Sequence, residues 1–284
     1  MPISKTSLLG LLAILALPGC GVGQGTGEAS TEDLIAAIAL ATTDYVLLDL
    51  TSGSVTTTTG LTDVETNTTY RDQVMVFRAI DEGLAIQGSG TGDFGHQADE
   101  TPAAGSIPRY YIGVFEVTQA QWVRLAGSTP WSGITPAAMT ATGDSRPAHG
   151  VSTSMATTVL PIASSRLGHD LSLPTEAQWE RACRGGVSGT FAWGDIREES
   201  LVTRFALVAE TAAGQTGPAP VGQRAANGYG LYDTHGNVWE LTTSGALRGG
   251  SWRDSLAQAR CANRVLLDQD TGHALVGLRL VLKP

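Results

Sequence analysis

Few side chains in this sequence are able to do covalent or soft-metal chemistry. Three cysteines stand at Cys20, Cys183 and Cys261. A thiol can act as nucleophile, soft-metal ligand or half of a disulfide, and the redox compartment helps decide which. Cys20 closes the run Leu17-Pro18-Gly19-Cys20, which follows Lys5 and an apolar stretch from Leu8 to Leu17. That stretch is too short to span a bilayer, which takes about twenty apolar residues, and it fits the core of a secretory signal. Its end resembles the bacterial lipobox, in which cleavage precedes a Cys that is then diacylated. The expectation is a signal peptide over 1–19 and a lipidated Gly/Ser/Thr-rich tether over 20–43, with Cys20 as the membrane anchor. Residue 21 is Gly rather than Asp, so nothing resembles the usual inner-membrane retention signal. In a Gram-negative cell the outer membrane is therefore the expected address, on an extracytoplasmic face.

With Cys20 assigned to lipid, Cys183 and Cys261 read either as one disulfide of an oxidising compartment or as two buried thiols. No Cys-x-x-Cys, His-Glu-x-x-His or zinc-type Cys/His spacing is present. The histidines, His96, His149, His169, His235 and His273, are scattered. Lys and Arg number 18 against 27 Asp and Glu, a formal net charge of −9. That balance argues against a nucleic-acid partner, whose phosphates need Lys and Arg to neutralise them.

The elements that would position these groups are short. With 35 Gly, six Trp and only 16% charged residues, the chain reads as a loop-rich α+β domain rather than a long-helix protein. Glu32 to Ala41 is a short helix-like run. Tyr45–Leu50, the Ser52-Gly53 turn and Val55–Thr59 read as a hairpin in a β-rich extension over 44–73. Strands follow at Val74–Ile80, Leu84–Gln87 and Arg109–Val117, with residues 88–108 as a polar surface loop. Thr118 to Gln121 and Thr175 to Gln178 have the spacing of a capping box at a helix start. Gly185-Gly186 ends the second of these helices. A helix over Ser152–Gly168 is interrupted by Pro161, and beyond Gly185 the chain reads as short strands and glycine turns.

From residue 74 onward the motifs resemble the formylglycine-generating enzyme, or sulfatase-modifying factor, family. The segments that carry the likeness begin with Met75-Val-Phe-Arg-Ala-Ile-Asp-Glu-Gly-Leu-Ala-Ile-Gln-Gly-Ser89 and Tyr110-Tyr-Ile-Gly-Val-Phe-Glu-Val-Thr-Gln-Ala-Gln-Trp122. Leu173-Pro-Thr-Glu-Ala-Gln-Trp-Glu-Arg-Ala-Cys-Arg-Gly-Gly186, Phe191-Ala-Trp-Gly194 and Pro220-Val-Gly come next. The C-terminal set is Asn227-Gly-Tyr-Gly-Leu-Tyr-Asp-Thr-His-Gly-Asn-Val-Trp-Glu240, Leu247-Arg-Gly-Gly-Ser-Trp252 and Gly277-Leu-Arg279. The resemblance implies a coil-rich, C-type-lectin-like fold for residues 74–284. In it glycines permit tight backbone, and buried Trp and Arg (Trp179, Trp193, Trp239, Trp252, Arg248, Arg279) hold the coil in place.

The family's reaction uses a thiol pair to bind copper(I), a soft ion, and oxidises a substrate Cys with O₂. The resemblance puts the first thiol at Asp254, and Ser255 to Ala259 contains no second one. Copper and a catalytic pair are therefore not expected. Cys261 matches the family's structural Cys in Arg260 to Arg264, whose partner is implied to be Cys183. A calcium ion is implied at Asp233, the carbonyls of Gly236 and Val238, and Glu240, an oxygen-rich set of the kind calcium takes. The second family calcium site is expected to be lost near Ala213. None of the histidines forms the closely spaced motif of the related sulfoxide-synthase iron enzymes. Two functions follow as expectations: a calcium-stabilised binding or scaffold module for a protein, peptide or glycan, or a divergent oxidoreductase built around Asp254, Trp252 and a nearby His.

Overall fold

In a computed structural model, residues 43–134, 141–266 and 271–283 are described. The lipobox with Cys20, the tether before residue 43 and the run from Glu32 to Ala41 lie outside the described residues.

The first sheet gathers strands from both ends of the sequence. Its members are β1 (Tyr45–Asp49), β2 (Val55–Thr58), β3 (Val74–Ile80), β6 (Tyr110–Gly113), β7 (Leu171–Ser172) and β12 (Val281–Leu282), in the order β2-β1-β3-β6-β12-β7. All pairings in it are antiparallel. β3 reads as a nearly continuous apolar run because both of its faces are covered. Met75, Phe77 and Ala79 point into one core cluster and Val76 and Ile80 into another.

Residues 45–58 form the outer strands of this sheet. β1 pairs with β3 from Tyr45↔Arg78 to Asp49↔Val74, and Val46, Leu48 and Leu50 are buried in the main core. The stretch read as a separate β-rich extension is thus integral to the domain. The sequence marked the hairpin, and the partner strand β3 that ties it into the sheet lies beyond any local signal.

Against this sheet pack α1 (Gln119–Ala126) and α2 (Thr153–Leu167). Both capping boxes form: Thr118 and Gln121, and Thr175 and Gln178, exchange side-chain and backbone hydrogen bonds at 2.9–3.2 Å. The second opens α3 (Glu176–Arg184), which ends at Gly185 with φ 59°, in the left-handed region that glycine favours. Pro161 does not interrupt α2. It lies on the exposed face, while Ala156, Leu160, Ala163 and Leu167 carry the buried stripe that holds the helix.

Several elements escaped the sequence reading, the short β7 among them. The polar stretch after Gln87 contains β5 (Ala103–Ile107), which pairs with β4 (Gly83–Gln87) as a two-stranded hairpin. A short helix, α4 (Glu199–Phe205), follows the Phe191-Ala-Trp-Gly194 turn. The remaining sheet, in the order β10-β9-β8-β11, joins β8 (Trp239–Leu241), β9 (Ala246–Arg248), β10 (Arg264–Leu266) and β11 (Val276–Gly277), with β11 parallel to β8.

Candidate functional site

Three buried arginines organise the irregular half of the chain. Arg279 donates from Nη1 to the carbonyls of Gly113 and Val114, and from Nη2 to that of Tyr232, at 2.8–3.0 Å. Its remaining donors reach both oxygens of Glu240 at 2.7–3.1 Å. Arg248 pairs with Glu180 at 2.5 Å and donates to the carbonyls of Cys261, Ala262 and Asn263. Arg260 makes a bidentate pair with Glu100 at 2.6 and 2.7 Å. Each guanidinium binds carbonyls or carboxylates that no sheet ladder satisfies, which is what buried coil requires.

Around Glu240 the acid–base balance is uneven. Asp233 adopts φ 58° and accepts the Gly222 N–H at 2.6 Å. Glu116 is fully buried and accepts from Asn237 Nδ2 at 2.6 Å and the Val238 N–H at 3.1 Å. The Asp233 carboxyl is raised to about 6: burial is the main cause, with the charge on Glu240 adding to it, and the Gly222 bond, Arg279 and Arg71 oppose the rise. Burial also pushes Glu116 well above the usual carboxylate range, with Asp233 and Glu240 adding to the effect.

Of the four calcium ligands implied by resemblance, Glu240 is engaged by the protein's own donors. Glu240 Oε1 accepts from Arg279 Nε and Nη2, and Oε2 accepts from Arg279 Nε and, at 2.6 Å, from Trp179 Nε1. Both of its oxygens thus already accept from protein donors, and Arg279 supplies the opposite charge. The melting temperature of the purified chain is accordingly expected to be the same in excess calcium and in chelator. A rise in calcium that Glu240→Gln abolishes would restore the ion by mass action.

Cys183 and Cys261 form a disulfide with Cα atoms 5.6 Å apart, fully buried against Trp179. His235 lies beside it, with Nε2 3.8 Å from Cys183 Sγ and 4.0 Å from Cys261 Sγ. Its Nδ1–H donates to the Ala259 carbonyl at 2.7 Å and Nε2 accepts the Ala192 N–H at 3.1 Å. Burial lowers its pKa to about 4, so the ring is neutral near pH 7. Among the described residues this is the one place where three His, Cys, Asp or Glu converge closely enough to hold a metal, and two of the three are joined to each other.

Asp254, at the expected thiol position, is a structural acceptor. Its Oδ2 takes the Trp239 Nε1–H at 2.7 Å, the Ser251 N–H at 3.1 Å and a short bond from Ser251 Oγ. The other histidines lie apart: His96 bonds Ser89, His149 the Pro147 carbonyl, His169 the Gly53 carbonyl, and His273 the Leu275 N–H. The structure gathers no acid–base set around Asp254 among the described residues.

The family model for the sulfatase-modifying factor enzyme 1-like domain matches residues 63–284. The chain belongs to the sulfatase-modifying factor family. Among curated relatives it is 47% identical over 79 residues to the formylglycine-generating enzyme of Mycobacterium tuberculosis, covering 25% of this chain and 26% of that protein. It is 38% identical over 98 residues to the inactive C-alpha-formylglycine-generating enzyme 2 of Mus musculus, covering 29% of this chain and 32% of that protein. The matched segments thus span about a quarter to a third of these relatives. Among solved structures, Treponema denticola variable protein 1 superposes with a TM-score of 0.62 at 22% identity, over 74% of this chain and 96% of that one. PvdO from Pseudomonas aeruginosa gives 0.64 at 20% identity, over 74% and 94%. These structures establish the α+β family fold, in keeping with the C-type-lectin-like architecture expected, and nothing beyond it.

Sequence reasoning missed Glu116, which stands between apolar neighbours in Phe115-Glu-Val117 and reads as an isolated charge. It also missed the Glu100–Arg260 pair, which joins residues 160 positions apart.

Proposed function

We propose that this chain is a non-catalytic member of its family, a binding or scaffold module carried on an exported lipoprotein anchored through Cys20. One observation carries the reading: the position expected to supply the first copper thiol is Asp254, and its carboxylate is engaged by Trp239 and Ser251. A carboxylate is a hard ligand and binds copper(I) poorly. The remaining thiols are consumed in the Cys183–Cys261 bond. The likeness to an enzyme whose name marks it inactive supports the same reading.

The test is direct. The purified chain, loaded with copper under mild reduction, is incubated in air with a Cys-x-Pro-x-Arg peptide. Mass spectrometry is expected to show no conversion of the peptide Cys to an aldehyde. Steady turnover that a copper(I) chelator blocks would overturn the reading in favour of an oxidoreductase.

A further inference from the structure

We infer that the open edge of β5 is a docking site for an extended peptide segment of a partner protein, added as a third strand and carrying aliphatic side chains at alternate positions. The inference rests on the binding-module reading and names the ligand class.

The β4–β5 hairpin is a two-stranded sheet of its own. Such a pair is marginal in water without further packing, and here one side of it is held by α3. Arg181 donates to the Asp81 carbonyl just before β4, and Glu180 accepts the Gly88 N–H just after it, at 3.0 and 2.9 Å. β5 has no such cover. Ala103, Ala104, Gly105 and Ser106 are exposed and Ile107 is half-buried. Among the described residues, no backbone hydrogen bond joins β5 to anything but β4. In an antiparallel pair, alternate residues turn their N–H and C=O away from the partner strand. β5 therefore presents a row of donors and acceptors to solvent.

The usual protections of an edge are missing within this strand. Neither β4 nor β5 contains a charged residue, and their register runs one to one from Gly83↔Ile107 to Gln87↔Ala103 without a bulge. Pro102 and Pro108 bracket β5 and have no N–H to donate, so the edge able to pair is five residues long. That length decides between occupants. A stable dimer covers roughly 800 Å² on each partner, far more than five residues of edge supply, so a second copy of this chain is not held there. A peptide strand needs no larger surface, because main-chain bonds give it affinity and the side chains alongside give it specificity.

Those side chains are aliphatic. Leu84 and Ile86 project from one face of β4 at 62% and 49% exposure, while Ala85 between them is buried. Their cross-strand neighbours on β5 are Ser106 and Ala104, both small. An added strand would lie about 4.8 Å beyond β5. Long aliphatic side chains on its matching face can reach across Ala104 and Ser106 to cover Leu84 and Ile86, a burial that favours binding. β2 also ends a sheet, but its side chains are one valine and three threonines, with less apolar surface to cover.

The experiment is amide exchange measured by NMR on the full chain, with acetyl-Lys-Thr-Ile-Thr-Ile-Thr-Lys-amide as the probe. At saturating peptide, alternate amide protons of Ala103 to Ile107 are expected to exchange about tenfold more slowly or less. The same peptide N-methylated at every Thr and Ile cannot donate main-chain bonds and is expected not to bind. Leu84→Ser combined with Ile86→Ser should weaken the unmethylated peptide about tenfold. Both side chains are exposed, so the melting temperature should stay unchanged. Unaltered β5 exchange at millimolar peptide, equal binding of the N-methylated peptide, or indifference to the paired substitution would overturn the assignment. Protection of β5 in the free chain, together with a dimer mass by sedimentation, would also overturn it, because a second copy would then close the edge. Failure here leaves the non-catalytic reading standing, and peptide oxidation in the copper assay is the result that removes that reading.

Discussion

Replacing both Cys183 and Cys261 by Ala is expected to lower the unfolding free energy of the oxidised chain by about 4 kcal/mol, near the upper end of what single disulfides contribute. The reason lies mainly in the unfolded state. The bond closes a loop between residues 78 apart in sequence, and the entropy removed from the unfolded chain grows with the logarithm of that length. In the folded state it fastens the last turn of α3 to the segment after β9, whose Cys261 N–H is bonded to the Thr190 carbonyl. The sulfurs sit against Trp179 in a fully buried cluster, so the truncation leaves a small void as well. The check is a denaturant titration of wild type and double variant, with and without reductant. The midpoints should differ widely when oxidised and draw together when reduced. Identical midpoints under oxidising conditions would show that the bond constrains nothing.

What was legible in the sequence was local. The capping boxes at Thr118 and Thr175 need only a Thr and a Gln three residues apart, and both form. The glycine stop at Gly185 works the same way, because a left-handed residue ends a helix whatever packs around it. The family motifs extended this reach to the fold and to the pairing of Cys183 with Cys261. They did not reach the state of Glu240. Motif position allowed it to be a ligand, whereas its acceptor capacity is decided by Arg279 and Trp179, which lie 39 and 61 residues away. Pro161 shows the same limit from the other side. Its effect on a helix depends on whether its face is exposed, and tertiary packing settles that. The hairpin strand β5 was hidden because Ala-Ala-Gly-Ser-Ile has weak strand propensity and is held by pairing with β4.

Arg279→Met is expected to destabilise the chain by about 3–5 kcal/mol, the usual cost of removing one partner from a buried ion pair. Both Arg279 and Glu240 are about 1% exposed, so water cannot take over the lost interactions. The carbonyls of Gly113, Val114 and Tyr232 lose their donor in the same step. The loss should also depend on pH, with a sign that separates charge from packing. Glu116, Asp233 and Glu240 lie in one buried region, and Arg279 is among the groups holding the pKa values of Glu116 and Asp233 down. Without it those carboxyls rise further above their unfolded values. A carboxyl raised in the folded state favours folding at low pH and loses that contribution as pH climbs through its folded pKa. The variant should therefore lie closest to wild type at mildly acidic pH and fall away between about pH 6 and 8, where Asp233, already raised to about 6, is forced to ionise. Adding Glu240→Gln to Arg279→Met should recover part of the loss, because one uncompensated charge is removed while an acceptor for Trp179 remains. Thermal melts of the two variants across that pH range give the answer. A destabilisation that is constant with pH and untouched by the second substitution would assign Arg279 a packing role and remove the electrostatic account of this core.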